Sequence, residues 1–241
     1  MKTKRLLTGL LILIVMMASI PLYGIEVQAV ESLLEGDWRY SVNNDGETIT
    51  IIGYLGKGGN VAVPAIIAGK KVTSIGHSAF QNNNNLISVT LPDGVTNIGL
   101  NAFYQCGNLT SIVLPSSVAT ISSGAFADCT ALSSITVAEE NPKYDSRGSC
   151  NAVIETQSNE LIVGCKNTKI PSGVTGIGSQ AFSGCAGLTD ITLPDGIKSI
   201  GDRAFSGCGL MSIVIPQSVT SLNGMNSKNP FYGCNALSSR T

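Results

Sequence analysis

Five phenylalanines set the frame of this chain: Phe80, Phe103 and Phe126 stand 23 residues apart, and Phe182 and Phe205 repeat the interval. A fixed period of that length means that each unit is one small turn of structure, too short to bury an apolar face alone. The units must therefore stack into one continuous core. One register runs Leu109, Ile112, Leu114, Pro115, Val118 and Ile121, followed by Ala125, Phe126 and Cys129. The same frame carries Leu86, Val89, Leu91, Pro92, Val95 and Ile98. It returns as Leu188, Ile191, Leu193, Pro194, Ile197 and Ile200, and again as Leu210, Ile213, Ile215, Pro216, Val219 and Leu222.

Each unit opens with a short strand of the form Leu-x-x-Ile-x-Leu, in which inward apolar residues alternate with outward ones and Pro ends the pairing. A second apolar pair, such as Val118 and Ile121, returns the chain to the core. A Gly-x-x-Ala-Phe-x-x-Cys turn follows, at Gly99 to Cys106, Gly178 to Cys185 and Gly201 to Cys208. It is too short for more than one or two helical turns. The expected product is a right-handed solenoid of α/β-type repeats, made mostly of short parallel strands with short helical turns.

Two interruptions break the period. Phe126 and Phe182 are 56 residues apart, read as one period of 23 plus an insertion of 33, because Ala138 to Lys169 lacks the apolar spacing. Within this insertion, 138–169, Cys150 to Glu155 and Glu160 to Cys165 flank Thr156-Gln-Ser-Asn159, the layout of a β-hairpin. The second interruption, Asn223 to Asn229, stretches the spacing from Phe205 to Phe231 to 26 residues. At the start, Trp38 to Val42 and Thr48 to Tyr54 flank Asn43-Asn-Asp-Gly46, a hairpin signal, and Val61 to Pro64 reads as a strand without its first half. Residues 30–71 are thus expected to form an N-terminal β cap on a repeat domain over 72–241. At the far end Arg240 stands where earlier units have Ile, so an uncapped end, truncated or frayed, is expected there.

The repeated Leu-x-x-Ile-x-Leu-Pro strand with Ala-Phe and Cys in register resembles the leucine-rich repeats of BspA-like surface proteins, over Val72 to about Leu237. The general leucine-rich signature places Asn or Cys three residues after the strand's last Leu. Here Gly94, Ser117, Gly196 and Ser218 stand in those places, so an interior asparagine ladder is not expected. The resemblance implies a non-catalytic binding module on a bacterial surface. Its implied partners are proteins or cell-surface ligands: host matrix proteins, host cells or other microbes.

Export is also written in the first residues. Lys2, Lys4 and Arg5 precede an apolar run from Leu6 to Ile20, then Pro21 and the small-residue site Val27-Gln28-Ala29. This is the pattern of a secretory signal peptide over 1–29, cleaved after Ala29. The run is shorter than the ~20 residues a bilayer span needs, so no membrane insertion is expected after cleavage. Only 13% of all residues are charged, 15 basic against 16 acidic. No Lys or Arg occurs from Val72 to Val137, which excludes a polyanion-binding face there and gives no footprint for nucleic acid.

The residues offer little chemistry. Cys106, Cys129, Cys185, Cys208 and Cys234 recur once per unit and lack the close pairs of a zinc site, so they read as a column of buried thiols. Cys150 and Cys165 differ. If the hairpin turns about Gln157-Ser158 they face each other within disulfide range, and a bridge or two further buried thiols are both open. The single His, His77, falls at a solvent-facing position of the first Gly-x-x-Ala-Phe turn, without the partner that nucleophilic catalysis needs. Glu139, Glu140 and Asp145 have no matching second cluster. The run Gly53 to Gly59 lacks the ending of a phosphate loop. No enzyme activity, metal or cofactor is expected.

A surface is left. The outward strand positions Ser88 and Thr90, Ser111 and Val113, Ser134 and Thr136, Asp190 and Thr192, and Ser212 and Val214 form the candidate binding face, dominated by hydroxyls. It is either a ligand-binding surface or a solvated sheet of good strand formers, as in a structural spacer or a truncated paralogue without its own ligand. The sequence leaves the ligand and the oligomeric state unspecified.

Overall fold

The computed structural model describes residues 32–222 and 229–238. The leader with its site after Ala29, most of the lengthened spacing at Asn223 to Asn229, and Arg240 with Thr241 lie outside the described residues. In chain order the strands are β1 (Leu33–Glu35), β2 (Trp38–Val42), β3 (Thr48–Tyr54), β4 (Gly59–Ala62), β5 (Ile66–Ile67), β6 (Lys70–Ile75), β7 (Leu86–Thr90), β8 (Asn97–Ile98) and β9 (Ser111–Leu114). There follow β10 (Thr120–Ile121), β11 (Ser134–Val137), β12 (Tyr144–Asp145), β13 (Ala152–Glu155), β14 (Glu160–Gly164), β15 (Gly176–Ile177), β16 (Ser199–Ile200) and β17 (Ser221–Leu222).

The leucine-rich repeat solenoid is present. The first strands of successive rungs form a parallel sheet in the order β11-β9-β7-β4. Its register sets Ile135 beside Ile112 and Ile112 beside Val89, so each apolar position stacks on its own copy. The second strands make another sheet, in which β3, β6, β8 and β10 run parallel and β1 and β2 extend it antiparallel. The N-terminal hairpin has the strand limits that its Asn-Asn-Asp-Gly turn implied. It also starts the aromatic column. Trp38 packs at 4.9 Å on Tyr54, Tyr54 at 5.5 Å on Phe80, and Phe80, Phe103 and Phe126 stack at 4.9 and 5.1 Å.

The turn side differs from the short helical turns expected. Ser78, Asn101, Gln180 and Arg203, each two residues before a Phe, and Asn82, Gln105 and Asp128, each two after, have φ between +53° and +62°. A left-handed residue on both sides of the Phe cannot continue a helix, and the segment becomes a chain of tight turns. The N–H groups so freed point along the stack: Phe103 donates to the Ala125 carbonyl at 2.8 Å and Gln105 to Ala127 at 3.0 Å. Rungs are therefore hydrogen-bonded on this side as well as in the sheets.

The absent asparagine ladder has two replacements. The Ser117 hydroxyl accepts from the Gly94 N–H at 3.1 Å and donates to the Val95 carbonyl at 2.7 Å on the preceding rung. Ser218 accepts from the Gly196 N–H in the same way, at 3.1 Å. Deeper in, repeat thiols donate to the carbonyl of the preceding rung's Phe, Cys106 to Phe80 at 3.0 Å, Cys129 to Phe103 at 3.1 Å and Cys208 to Phe182 at 3.1 Å, while Cys185, after the hairpin, reaches the Gly164 carbonyl instead. Cysteine fits there as a small buried side chain with one weak donor.

The inserted hairpin is built into the core. β13 and β14 pair antiparallel, β14 pairs parallel with β15, and β15, β16 and β17 continue a separate six-stranded sheet, β12 to β17, at the same positions of later rungs. Alternate residues point opposite ways. Val153, Val163 and Cys165 join the apolar cluster that holds Phe80, Phe103 and Phe126, whereas Ala152, Ile154 and Leu161 join the cluster of Phe182 and Phe205. A strand buried on both faces has this continuous apolar character. The hairpin is a wall between two cores. The Phe column stops at it, and Gly164 lies against Phe182 so closely that a Cβ there would stand 2.1 Å from the ring.

Both ends of the inserted stretch keep to the repeat. Asn141, 23 residues after Val118, is buried, donates to the Pro115 and Val118 carbonyls and accepts from the N–H groups of Lys143 and Tyr144. Ile170-Pro171 precedes Leu193-Pro194 by 23 residues and supplies another first strand position. The departure from the repeat is thus concentrated between Tyr144 and Cys165.

Candidate binding face

Alternation along β4, β7, β9 and β11 turns Leu86, Val89, Ile112 and Ile135 inward and their neighbours outward. The register aligns two outward columns: Asn60, Ser88, Ser111 and Ser134, and beside it Ala62, Thr90, Val113 and Thr136. Ser88 donates to Asn60 Oδ1 at 2.8 Å. At the strand entrances Thr110 and Ser133 hydroxyls donate to the Ile87 and Thr110 carbonyls at 3.1 and 3.2 Å, which ties rung to rung. The hydroxyls of Thr90, Ser111, Ser134 and Thr136 have no hydrogen-bond partner among the described residues and are open to a ligand. Apolar contact is offered by Val113, 57% exposed, and Ile87, 49% exposed. The result is a rigid, uncharged strip of hydroxyls with two aliphatic patches.

The ten residues expected to form the face do not lie in one sheet. Ser88, Thr90, Ser111, Val113, Ser134 and Thr136 share the four-stranded sheet, where Asn60 and Ala62 of β4 join them. Asp190, Thr192, Ser212 and Val214 are exposed but stand on segments not paired as strands, joined by one bond from the Met211 N–H to the Thr189 carbonyl at 3.2 Å. Between the two groups runs 165–170, whose Lys166 N–H reaches the Leu132 carbonyl at 3.4 Å. Lys166, Asn167 and Lys169 occupy the places that Ile87, Ser88 and Thr90 hold in their rung, and sequence reasoning missed them. The signal was the Ile170-Pro171 pair, one period before Leu193-Pro194. A cleft of about 740 Å³ opens here, lined by Lys166, Lys169, Ile170, Asp190, Thr192 and Pro194 among others.

The remaining candidates sit elsewhere. His77 is exposed on the turn side, with Nε2 3.3 Å from the Ser78 hydroxyl. Burial pushes the thiols of Cys106 and Cys185 up to about 12, and that of Cys129 well above its ordinary value, which suits packing and not nucleophilicity. Cys150 and Cys165 are free thiols here. The turn aligns Glu155 with Glu160 and Ile154 with Leu161 as the sequence implied, but a bulge then shifts the register so that Val153 faces Val163. Cys150 and Cys165 are thereby displaced from each other, one in each apolar cluster. Among the described residues no group of three or more His, Cys, Asp and Glu could hold a metal, and no helix is long and apolar enough to cross a membrane.

A family model described as the BspA type leucine rich repeat region matches residues 60–152 and 153–241, in six copies. The crystal structure of a leucine rich repeat protein from T. pallidum is 30% identical, covers 84% of this chain and 88% of its own, and superposes with a TM-score of 0.52. A leucine-rich repeat protein from Eubacterium ventriosum is 22% identical over 84% of this chain and 69% of its own, with a TM-score of 0.45. Among curated proteins none matches the chain.

Proposed function

This chain belongs to the BspA type leucine rich repeat family, and from that premise we propose that it is a secreted or surface-displayed, non-catalytic adhesion module. Leucine-rich repeats serve protein–protein binding, and the rigid strip on β7, β9 and β11 is the part of this chain suited to it. The observation that carries the reading is the set of open hydroxyls on Thr90, Ser111, Ser134 and Thr136 beside exposed Val113, held on a hydrogen-bonded sheet. Such a face meets a ligand without the entropy cost of ordering itself. Residues 1–29 act as the export signal, 30–71 as the cap of the stack and 72–241 as the repeat domain, in which the insertion read over 138–169 departs from the period chiefly between Tyr144 and Cys165.

Size bears on strength. Parallel rungs ~4.8 Å apart make a four-stranded strip only ~15–20 Å wide, below a standard interface of ~20–30 residues per partner. Binding by one copy is therefore weak, and firm attachment comes from many copies on one surface. The test is retention of the purified mature chain on immobilised host matrix extract, compared with a Ser111→Lys/Val113→Lys variant. Exposed Val113 and half-buried, outward-facing Ser111 become charged, so the variant is expected to keep its circular dichroism and lose retention. Equal retention by the variant moves the binding site elsewhere, and no retention of either protein favours a spacer role.

A further inference from the structure

The cleft beside the inserted hairpin differs from the strip on both counts that matter for recognition, its charge and its backbone. Val72 to Val137 contains no Lys or Arg, and the next two, Lys143 and Arg147, are paired with Glu155 and Asp145, so Lys166 and Lys169 are the first unpaired cations after that run. Both are exposed, and neither is ion-paired among the described residues. The Lys166 stem is braced against Gly187, where a Cβ would lie 3.2 Å from its Cδ. One acidic side chain, Asp190, faces them across about 740 Å³, a volume within the usual range of binding clefts.

The far wall has unused backbone groups. Ile191 and Leu193 are buried while Asp190 and Thr192 are exposed, the same alternation that the equivalent residues show in β7 and β9. In those strands the N–H and C=O groups are consumed by the parallel ladder. In 190–193 no backbone group has a backbone partner among the described residues, and the one bond to the next rung leaves from Thr189. A segment anchored by alternate buried side chains, with free donors and acceptors at the mouth of a cleft, is a template for strand addition.

We propose that this cleft binds an extended acidic peptide segment of a partner protein, added as a strand along 190–193 with its carboxylates against Lys166 and Lys169. Backbone pairing supplies the register, and alternate side chains of the bound segment point toward the lysines or to solvent. The two lysines select acidic over basic segments, and Asp190 repels a carboxylate placed on the far wall, which fixes the strand's facing. The inference rests on the reading of the chain as a protein-binding module but not on the hydroxyl strip, which lies on the other side of 165–170.

The test uses a labelled peptide alternating Glu and Thr, followed by fluorescence anisotropy with the mature chain at low salt. Its comparators are the Lys/Thr peptide, the Glu/Thr peptide with alternate backbone amides N-methylated, and free glutamate as competitor. The Glu/Thr peptide is expected to bind, with affinity at least about tenfold weaker for Lys166→Glu/Lys169→Glu, equivalent to about 1.4 kcal/mol. N-methylation is expected to abolish binding, and Ser111→Lys/Val113→Lys to leave it unchanged. If the strip variant loses retention on matrix while the peptide fails to bind wild type, the strip reading stands and this one falls. Equal binding of the N-methylated or the Lys/Thr peptide overturns the proposal. So does displacement by glutamate at equal concentration, or sedimentation showing that a second copy of the chain fills the cleft.

Discussion

At the scale of single residues, the fold depends on side chains whose roles come from the stack. Gly164 is the clearest, since any side chain there enters the space of the Phe182 ring. Gly164→Ala is expected to cost about 1–3 kcal/mol, the range for overpacking a filled core, read as a lowered urea midpoint for the half that holds Phe182 and Phe205. The thiols give a pH signature. Their native values lie above the ordinary 9.0, with Cys106 and Cys185 at about 12, so the native state keeps protons that the unfolded chain releases. Stability from this source is full below pH 9 and falls as pH rises toward 12. Alkaline unfolding is expected in that window, with a shallower slope in Cys106→Ala/Cys185→Ala. All seven cysteines should react with a thiol reagent in denaturant, and few or none in the native protein.

At the scale of elements, the first strands and the N-terminal hairpin were legible because alternation and an Asn-Asp-Gly turn leave little choice of geometry. The turn side was not. Its left-handed positions are held by Ser78, Gln105, Gln180 and Arg203, types that do not announce positive φ, and the freed N–H groups are satisfied only once a neighbouring rung exists. The pairing of Cys150 with Cys165 depended on an unbroken hairpin register, and a bulge is invisible in the spacing that suggested it. The strand position at 166–170 was hidden because Thr168, buried with its hydroxyl bonded to the Asn151 carbonyl at 2.6 Å, stands where other rungs have Val or Ile. The ladder serine can be tested directly. Ser117→Ala removes a bridge between two rungs and is expected to cost about 0.5–1.5 kcal/mol, whereas Ser116→Ala, which makes no such bond, is expected to be near neutral.

At the scale of the whole molecule, the hairpin wall joins two apolar clusters that would otherwise meet rung on rung. Stability in a stack is carried by nearest-neighbour contacts, so a weakened wall uncouples the halves. Wild type is expected to unfold in one transition, and Gly164→Ala in two, with hydrogen exchange appearing first in the rungs of Phe182 and Phe205. The low charge of the chain also belongs to this scale. Equivalent side chains in adjacent rungs lie side by side, and a repeated charge would form a destabilising column of like charges. The face is consequently met by hydroxyls and shape, with Lys166 and Lys169 on the rung where the period is broken. The most direct test of the binding account is a hydrogen-exchange footprint of the mature chain captured on host matrix extract. Protection confined to peptides covering Leu86–Thr90, Ser111–Leu114 and Ser134–Val137 is the predicted result. Protection of the turns from Gly99 to Cys106 and Gly201 to Cys208, with the strands unchanged, would contradict it.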